Sequence, residues 1–329
     1  MNLFAKLNTS VRALAVVAAS LLAAPVAAQI PQLSGDGWHT WSIEAVESAP
    51  EMCCYSWKRG RANSLGCDLD SSRGGFSTSS EAVGGDVQLF VRIEDGDVAD
   101  IRTLSASCPV TTASPINDLG QLASPDSVAW LANVVESDDD LMSEGIMAIS
   151  VHRGDQAKDW LVDKAQSADD NDIREDAIFW MAQVRVEDSS RELKRFIYDD
   201  TDPDIREHAA FSYSQSNADD IADVLIRQGE RDDDPDVRSQ AWFWLAQSES
   251  PESENAIGNA VREDKDEDVR EEAVFALSQL PDDRAVQALA GILEDNNLDL
   301  EVREQALFWL AQTDTDEAFE YIDNILSEN

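Results

Sequence analysis

The pattern of apolar and polar positions divides the chain into two regions with different periods. In the carboxy-terminal two thirds, apolar residues recur three or four positions apart, which is the spacing of one face of an α-helix. In the string DVRSQAWFWLAQ, residues 236–247, Val237, Ala241 and Leu245 fall on one such face. Residues 87–108 instead alternate apolar and polar side chains around an Asp-Gly pair, which predicts a β-hairpin. The sequence therefore predicts a β-rich part followed by a helical part.

The string at residues 236–247 recurs at a nearly constant interval, with a second helical pattern between successive copies. The copies start at Asp172, Asp204, Asp236, Asp268 and Glu301, so that successive starts lie 32, 32, 32 and 33 residues apart. A degenerate earlier copy starts at Asp140. A fixed period of this length predicts stacked helix pairs, each of which gains its core from its neighbours. We predict about six pairs and an unpaired last helix in residues 316–326.

Each copy carries its own signals for the start of a helix and for close packing. Asp172 is followed three positions later by Glu175, which is the spacing of a capping box at a helix N-terminus. We therefore predict that the helix of each copy is capped by the first acidic residue of that copy. A small residue at one fixed position allows the paired helices to approach closely. These residues are Ala177, Ala209, Ala241, Ala273 and Ala306.

The Asp-Ile/Val-Arg start, the fixed alanine and the apolar residue four positions beyond it, such as Leu245, resemble the HEAT-repeat family. The likeness is to the short bacterial repeats called PBS-lyase HEAT-like repeats, and it covers about residues 126–329. The resemblance implies an all-α fold, a right-handed α-solenoid of HEAT-type helix pairs, with a groove that binds protein partners. Some relatives are bilin lyases, but nothing beside the repeat supports that chemistry in this sequence.

The region before the repeats is predicted to be a small β-rich, disulfide-bonded domain. It spans residues 29–113, and the solenoid occupies residues 114–329, because a Ser/Thr/Pro-rich stretch ends at Ser114-Pro115. An even number of cysteines in an exported chain predicts two disulfides. Three pairings are open, of which a bridge between adjacent cysteines is strained, and a four-thiolate zinc site is the alternative. The cysteines are Cys53, Cys54, Cys67 and Cys108.

The first 28 residues are predicted to be a signal peptide, which is removed on export. Lys6 and Arg12 lie before a twelve-residue apolar run, residues 13–24. The small residues before Gln29 suit cleavage by a signal peptidase. The run is short for a membrane span, so we predict no membrane insertion after cleavage. The expected location is the periplasm, the cell envelope or the outside of the cell.

The charge of the chain narrows the choice of partner. The formal net charge is −41, with 66 acidic and 25 basic residues. Such a field repels nucleic acids and anionic lipids, so the expected partner is a protein or peptide with basic and apolar features. Lys58, Arg59 and Arg61 form a local basic cluster beside two aromatic residues. This cluster is a further partner-binding candidate, with a solvated loop as the alternative.

The aromatic residues of the repeated string are also partner-binding candidates. One register is always phenylalanine, and we interpret it as a packing column between repeats, with an aromatic ladder exposed in the groove as the alternative. A helical wheel turns Trp242 away from the partner helix, so that Trp242 is the best candidate for exposure. The register consists of Phe179, Phe211, Phe243, Phe275 and Phe308.

A second register holds an arginine in the first helical turn, where the helix dipole disfavours a cation. An acidic loop precedes each copy, so we predict a structural Arg–Asp ladder along the solenoid. The arginines are Arg174, Arg206, Arg238, Arg270 and Arg303. The loops at residues 199–204 and 231–238 are also alternative sites for calcium, although they lack the central Gly and the last Glu of an EF-hand.

Common catalytic motifs do not occur, and the three histidines, His39, His152 and His208, are assigned no catalytic role. The prediction is therefore an exported, non-enzymatic scaffold or adaptor without a cofactor, which binds a protein or peptide through an acidic groove. The alternatives are a calcium-dependent binding or structural module of the envelope and an enzyme whose site lies in residues 29–113.

Overall fold

The computed structural model describes residues 33–58, 61–64, 66–71, 75–82, 85–313 and 315–327. The predicted signal peptide, residues 1–28, lies outside this part of the chain. Within the described part, a sheet region is followed by a helical region, and no helix is long and apolar enough to cross a membrane. The predicted fold class, a helical solenoid after a small β-rich region with disulfides, is confirmed.

Three small sheets make up the first region. The strands are β1 (Gly37–Glu44), β2 (Pro50–Lys58), β3 (Arg61–Ser64), β4 (Cys67–Asp68), β5 (Gly75–Ala82), β6 (Asp86–Glu94), β7 (Asp97–Ser105), β8 (Val110–Thr111) and β9 (Ile116–Gln121). The largest sheet has the order β7-β6-β1-β9, a second has the order β3-β2-β5, and β4 pairs with β8. β6 and β7 form the predicted hairpin, in which Asp95 and Gly96 both have positive φ, 52° and 90°.

Two disulfides cross-link the first region. Cys53 bonds to Cys108 and Cys54 bonds to Cys67, so the two adjacent cysteines take different partners. All four sulfurs are engaged, and the oxidised protein therefore offers no thiolate to the alternative zinc site. Trp38 packs with three of these cysteines in a small core that is separate from the main one. Cross-links stabilise a region of this size, because its own core is small.

The second region consists of helices that pack in pairs. They are α1 (Ser124–Val135), α2 (Met142–Ser150), α3 (Asp155–Ser167), α4 (Asn171–Asp199), α5 (Pro203–Ser214), α6 (Ile221–Arg231), α7 (Pro235–Gln247), α8 (Ser253–Glu263), α9 (Glu267–Ser278), α10 (Asp282–Glu294), α11 (Leu300–Gln312) and α12 (Asp316–Ser327). α4 bends at Arg185, where φ is −133° and ψ is 23°, so its two halves belong to successive pairs. The described helices therefore form the predicted six pairs, followed by α12.

The acidic loops cap the second helix of most pairs, but two residues earlier than the sequence predicted. Asp202 accepts a hydrogen bond from the backbone N–H of Asp204 at 3.1 Å, and Asp234 accepts one from that of Asp236 at 2.9 Å. The prediction that the first acidic residue of each copy is the cap is wrong, because that residue already lies inside the first helical turn; in these two helices a proline occupies the first helical position before it. Asp170 and Asp266 form the same cap.

The sheet region and the first helices share one core. Trp41 of β1 donates from Nε1 to Ser127 Oγ of α1 at 2.8 Å. His152, just beyond α2, has its Nε2 2.8 Å from Ser127 Oγ and its Nδ1 2.8 Å from Ala148 O. Since a carbonyl only accepts, Nδ1 carries the proton and Nε2 accepts from the Ser127 hydroxyl. This buried chain of polar groups joins the two regions.

The last strand of the sheet lies beyond the predicted domain border at Ser114-Pro115. β9 pairs in parallel with β1, and α1 begins three residues after β9, at Ser124. The main core contains residues from both sides of the border. The division into residues 29–113 and 114–329 therefore stays a prediction, and the sheet itself extends to Gln121.

Arg185 holds the bend of α4 from inside the protein. Its buried guanidinium donates to the carbonyl oxygens of Ser150, His152 and Gly154 at 3.3, 2.5 and 3.2 Å. Asp188 Oδ2 accepts a further hydrogen bond at 2.7 Å and balances the charge. A buried cation needs such partners, since its desolvation is otherwise costly. The bend is thus tied to the segment that joins α2 to α3.

Gly229 of α6 makes space for a large side chain of α7. A β-carbon at this position would lie 2.5 Å from Cε2 of Trp242. We expect Gly229→Ala to lower the free energy of unfolding by about 1–3 kcal/mol, because the indole is packed and has no room to move. A urea titration followed by circular dichroism measures the change.

Gly291 of α10 provides the matched control. A β-carbon there meets no atom within 4 Å, so Gly291→Ala is expected to raise the free energy of unfolding by about 1 kcal/mol through helix propensity alone. A Gly229→Ala variant as stable as Gly291→Ala would contradict the tight packing.

Candidate partner-binding groove

The second helices of successive pairs lie side by side. They are the first half of α4, α5, α7, α9 and α11. Between α7 and α9 they leave a depression of about 660 Å³, lined by Asp236 and Phe243 of α7 and by Asp268, Glu272 and Phe275 of α9. We name the surface of these five helix segments the second-helix groove. It combines acidic and aromatic side chains.

Aromatic rings in continuous contact run along the second-helix groove. Phe243 stacks on Phe275 with ring centroids 5.9 Å apart, and Trp244 contacts Phe243 at 4.9 Å and Phe211 at 4.8 Å. The rings are half-buried except Phe308, which is 52% exposed. We name them the aromatic row, which consists of Trp180, Phe179, Phe211, Trp244, Phe243, Phe275, Trp309 and Phe308. The phenylalanine register thus packs between repeats and also shows ring surface to the solvent.

The tryptophans of the aromatic row occur in every second repeat. Trp180, Trp244 and Trp309 follow the phenylalanine of their repeat, whereas Ser212 and Ala276 hold this position in the repeats between them. In the repeats that hold Ser212 or Ala276, the phenylalanine contacts the tryptophan of the next repeat. The contacts are Phe211 with Trp244 and Phe275 with Trp309, and the ring centroids are 4.8 Å apart in both. These tryptophans were not among the residues predicted from the sequence to bind a partner. The alternation of Trp with Ser or Ala in one register was the signal that could have found them.

Trp242 does not take part in the second-helix groove. Only 2% of its surface is exposed, and its ring lies against Gly229 in the first helix of the same pair. The prediction that Trp242 is exposed is therefore wrong. The helical wheel considered one helix alone, and it did not include the space that a glycine in the facing helix leaves for an indole.

Carboxylates border the aromatic row near the N-termini of its helices. Burial raises the pKa of Glu207, and the neighbouring Asp204 and Asp236 raise it further. The pKa of Glu175 is also raised, first by burial and then by acidic neighbours that include Asp172. The first acidic residues of the copies are exposed and form no ion pair within the described part of the chain: Asp172, Asp204, Asp236, Asp268 and Glu301. The groove therefore carries negative charge without an internal counter-charge.

The arginine register joins successive repeats. Arg206 donates from Nε and Nη2 to Asp232 at 2.8 and 2.7 Å, and Arg238 donates in the same way to Asp264 at 3.0 and 2.9 Å. Each aspartate lies in the loop of the next pair, so these two-bond contacts connect one repeat to the following one. Arg174 and Asp200 form a further pair at 2.6 Å.

These contacts weaken toward the carboxy-terminal end. Arg270 lies 3.5 Å from Asp299, whose side chain is 72% exposed. Arg303 donates to Leu293 O at 2.9 Å and has no acidic partner in the described part of the chain. The copies that start at Asp268 and Glu301 are 33 residues apart instead of 32, and the pairing changes over the same stretch of the chain.

The loops considered for calcium use their carboxylates in other ways. Asp200 and Asp232 bind arginines, and Asp202 and Asp234 cap helices. These oxygens are therefore already engaged. Three carboxylates elsewhere in the described part have oxygens within 4.8 Å of one another: those of Glu267 and Glu301, which are exposed, and that of Glu271, which is half-buried.

The basic cluster of the first region falls largely outside the described residues. Arg59 is not among them. Lys58 ends β2 and Arg61 begins β3, and their side chains also lie outside the described part. Their proposed role in partner binding stays a prediction.

Comparison with known proteins identifies the repeats. Residues 222–311, from α6 to the end of α11, match the family model described as HEAT repeats. The match supports the predicted HEAT-repeat resemblance over these residues, and such repeats suggest a protein-interaction scaffold. Curated protein sequences give no match.

Solved structures also match the chain. One of them is human deoxyhypusine hydroxylase in complex with glycerol, with 17% sequence identity and a TM-score of 0.28. The match covers 61% of this chain and 78% of that one. A likeness of this size supports no statement about activity.

Proposed function

We propose that the protein is a non-enzymatic scaffold that binds an extended segment of a partner protein in the second-helix groove. The segment carries basic and apolar side chains. The observation that carries the proposal is the aromatic row beside carboxylates that lack a counter-charge. A single partner segment with both kinds of side chain covers the rings and neutralises the carboxylates.

The carboxylates along the aromatic row favour a basic partner. The pKa of Glu207 is raised by burial and by its acidic neighbours, which reflects a local repulsion among negative charges. A lysine or arginine of a partner relieves this repulsion, and a chain with a net charge of −41 attracts it from a distance. The field thus favours a basic segment and opposes an acidic one.

The exposed surface of the rings favours a partner with apolar side chains. Apolar side chains of a partner remove this surface from water, and a lysine or arginine also binds to a ring face. Aromatic residues often dominate the energy of protein interfaces. Because helices hold the row in place, little conformational entropy is lost on binding.

The proposed location is the periplasm, the cell envelope or the outside of the cell. Two disulfides support it, because disulfides persist in oxidising compartments. The apolar run at residues 13–24, with basic residues before it, supports it as well.

A synthetic peptide tests the proposal. We expect a peptide of alternating lysine and leucine residues to bind the protein in calorimetry, and the same peptide with glutamate in place of lysine not to bind. Replacing Phe243 and Phe275 together by serine is expected to weaken binding at least about 30-fold, since an interface anchor contributes about 2 kcal/mol or more. Binding should also weaken as salt is added.

Phe319 provides the control for this test. It lies on α12, outside the aromatic row, and its side chain is 55% exposed. Phe319→Ser removes an exposed phenylalanine that lies away from the groove, and we expect it to leave peptide affinity unchanged. Equal binding of the two peptides, or equal losses in the two variants, would exclude the groove as the binding surface.

A further inference from the structure

The four cysteine sulfurs lie together beside a cavity. Cys67 Sγ, which bonds to Cys54, is 3.7 Å from Cys108 Sγ, which bonds to Cys53. The Cys54–Cys67 disulfide lines a cavity of about 280 Å³ between β7 and α2. Cys54 is half-buried, whereas the other three cysteines are buried. Cys54 is thus the more exposed half of the disulfide that lines the cavity, and we take its sulfur as the point of attack.

We propose that these cysteines form a thiol–disulfide exchange site, in which an external dithiol reduces Cys54–Cys67 and the freed Cys67 then opens the inner disulfide. The site is separate from the second-helix groove, and the proposal does not depend on what the groove binds. Its substrate class is a small or protein-borne dithiol that enters the cavity.

The first step is attack by a thiolate of the dithiol on Cys54 Sγ. A bond forms between Cys54 and the dithiol, the Cys54–Cys67 bond breaks, and its electron pair leaves on Cys67 Sγ. The backbone N–H of Cys54 lies 3.0 Å from Cys67 Sγ and donates to the thiolate that forms. The second thiol of the reagent then attacks its own bonded sulfur, which releases Cys54 as a thiol and the reagent as a disulfide.

The second step is internal. The Cys67 thiolate attacks Cys108 Sγ, which lies 3.7 Å away in the oxidised protein. The Cys67–Cys108 bond forms, the Cys53–Cys108 bond breaks, and Cys53 leaves as a thiolate that takes a proton from water. In total, the protein gains two electrons from the dithiol, and the two protons that the dithiol loses balance those taken up by Cys53 and Cys54. It keeps one disulfide, Cys67–Cys108, and gains adjacent thiols at Cys53 and Cys54.

Limited reduction of the full chain tests this order. The protein is treated with half an equivalent of dithiothreitol, quenched with acid, alkylated in denaturant and mapped by mass spectrometry. We expect a Cys67–Cys108 cross-link and alkyl groups on Cys53 and Cys54. Alkyl groups on Cys54 and Cys67, with Cys53–Cys108 intact, would overturn the internal step. Alkyl groups on Cys53 and Cys108, with Cys54–Cys67 intact, would overturn entry at Cys54.

Single serine variants give a second measurement without any reductant. Cys54→Ser frees Cys67, and Cys53→Ser frees Cys108, so both are expected to contain the Cys67–Cys108 cross-link. Cys67→Ser is the control, because it removes the central sulfur and should retain Cys53–Cys108 with a free thiol at Cys54. Circular dichroism checks that each variant is folded. Absence of the Cys67–Cys108 cross-link from both folded variants would rule out the exchange.

Discussion

Replacing Arg238 with alanine is expected to lower the free energy of unfolding by about 3–5 kcal/mol. The side chains of Arg238 and Asp264 are only 3% and 9% exposed, and two hydrogen bonds of 2.9 and 3.0 Å join them. Removal of the arginine leaves a buried carboxylate without its partner, which is the costly way to break an ion pair. It also removes a donor to the carbonyl oxygen of Asp232. Urea titration at neutral pH measures the loss.

Arg270 is the matched control, because it occupies the same register in the next repeat. Its partner, Asp299, is 3.5 Å away and 72% exposed, so the pair is screened by water. We expect Arg270→Ala to cost about 1 kcal/mol. If the two variants lose the same stability, the buried contact between Arg238 and Asp264 contributes nothing beyond an exposed one.

A second large effect is expected from pH, through His152. Burial lowers the pKa of this histidine to about 4, from an ordinary value of 6.5, because the charged ring would lose its hydration. Between pH 6.5 and about 4, the unfolded chain therefore binds a proton that the folded chain does not. The free energy of unfolding falls as the pH falls through this window, by up to about 3 kcal/mol from His152 alone. Above pH 6.5 this contribution is constant.

Comparison of variants isolates this contribution from that of the many carboxylates. We expect the loss of stability between pH 7 and pH 4.5 to be smaller in His152→Gln than in the unchanged protein. Ser127→Ala serves as the control, since it removes the hydrogen bond to Nε2 but keeps the histidine. It should retain the steep pH dependence. The same pH dependence in His152→Gln as in the unchanged protein would show that His152 does not titrate in this window.

Local periodicity was sufficient to predict the helix pairs, because each repeat presents the same apolar face to its neighbours. It was not sufficient for the helix caps. Each loop offers two acidic residues that are two positions apart, such as Asp202 and Asp204, and either fits a capping pattern. Where a proline lies between them, as at Pro203, it favours the earlier one, since proline suits the first helical position and its missing N–H is not needed there. Asp170 and Asp266 also cap from the earlier position without a proline, so the local sequence alone did not decide between the two.

The candidate groove was predicted in part. The phenylalanine register was visible because it recurs in every copy, for example at Phe243 and Phe275. Trp242 was predicted to be exposed and Trp244 was not assigned to the groove, although the structure buries Trp242 and has Trp244 in the aromatic row. The difference arises from neighbouring helices: Gly229 accepts one indole, and Phe211 of the preceding repeat contacts the other. A wheel drawn for one helix contains neither contact.

The alternation of tryptophan with a small residue makes two repeats, rather than one, the unit by which this solenoid can change length. Trp180, Trp244 and Trp309 are 64 and 65 residues apart, which is the length of two successive repeats. Insertion of a single repeat would bring two bulky or two small positions next to each other and interrupt the ring contacts. Insertion of two would preserve them. Duplication or deletion of whole repeat pairs is therefore the rearrangement that this architecture tolerates best.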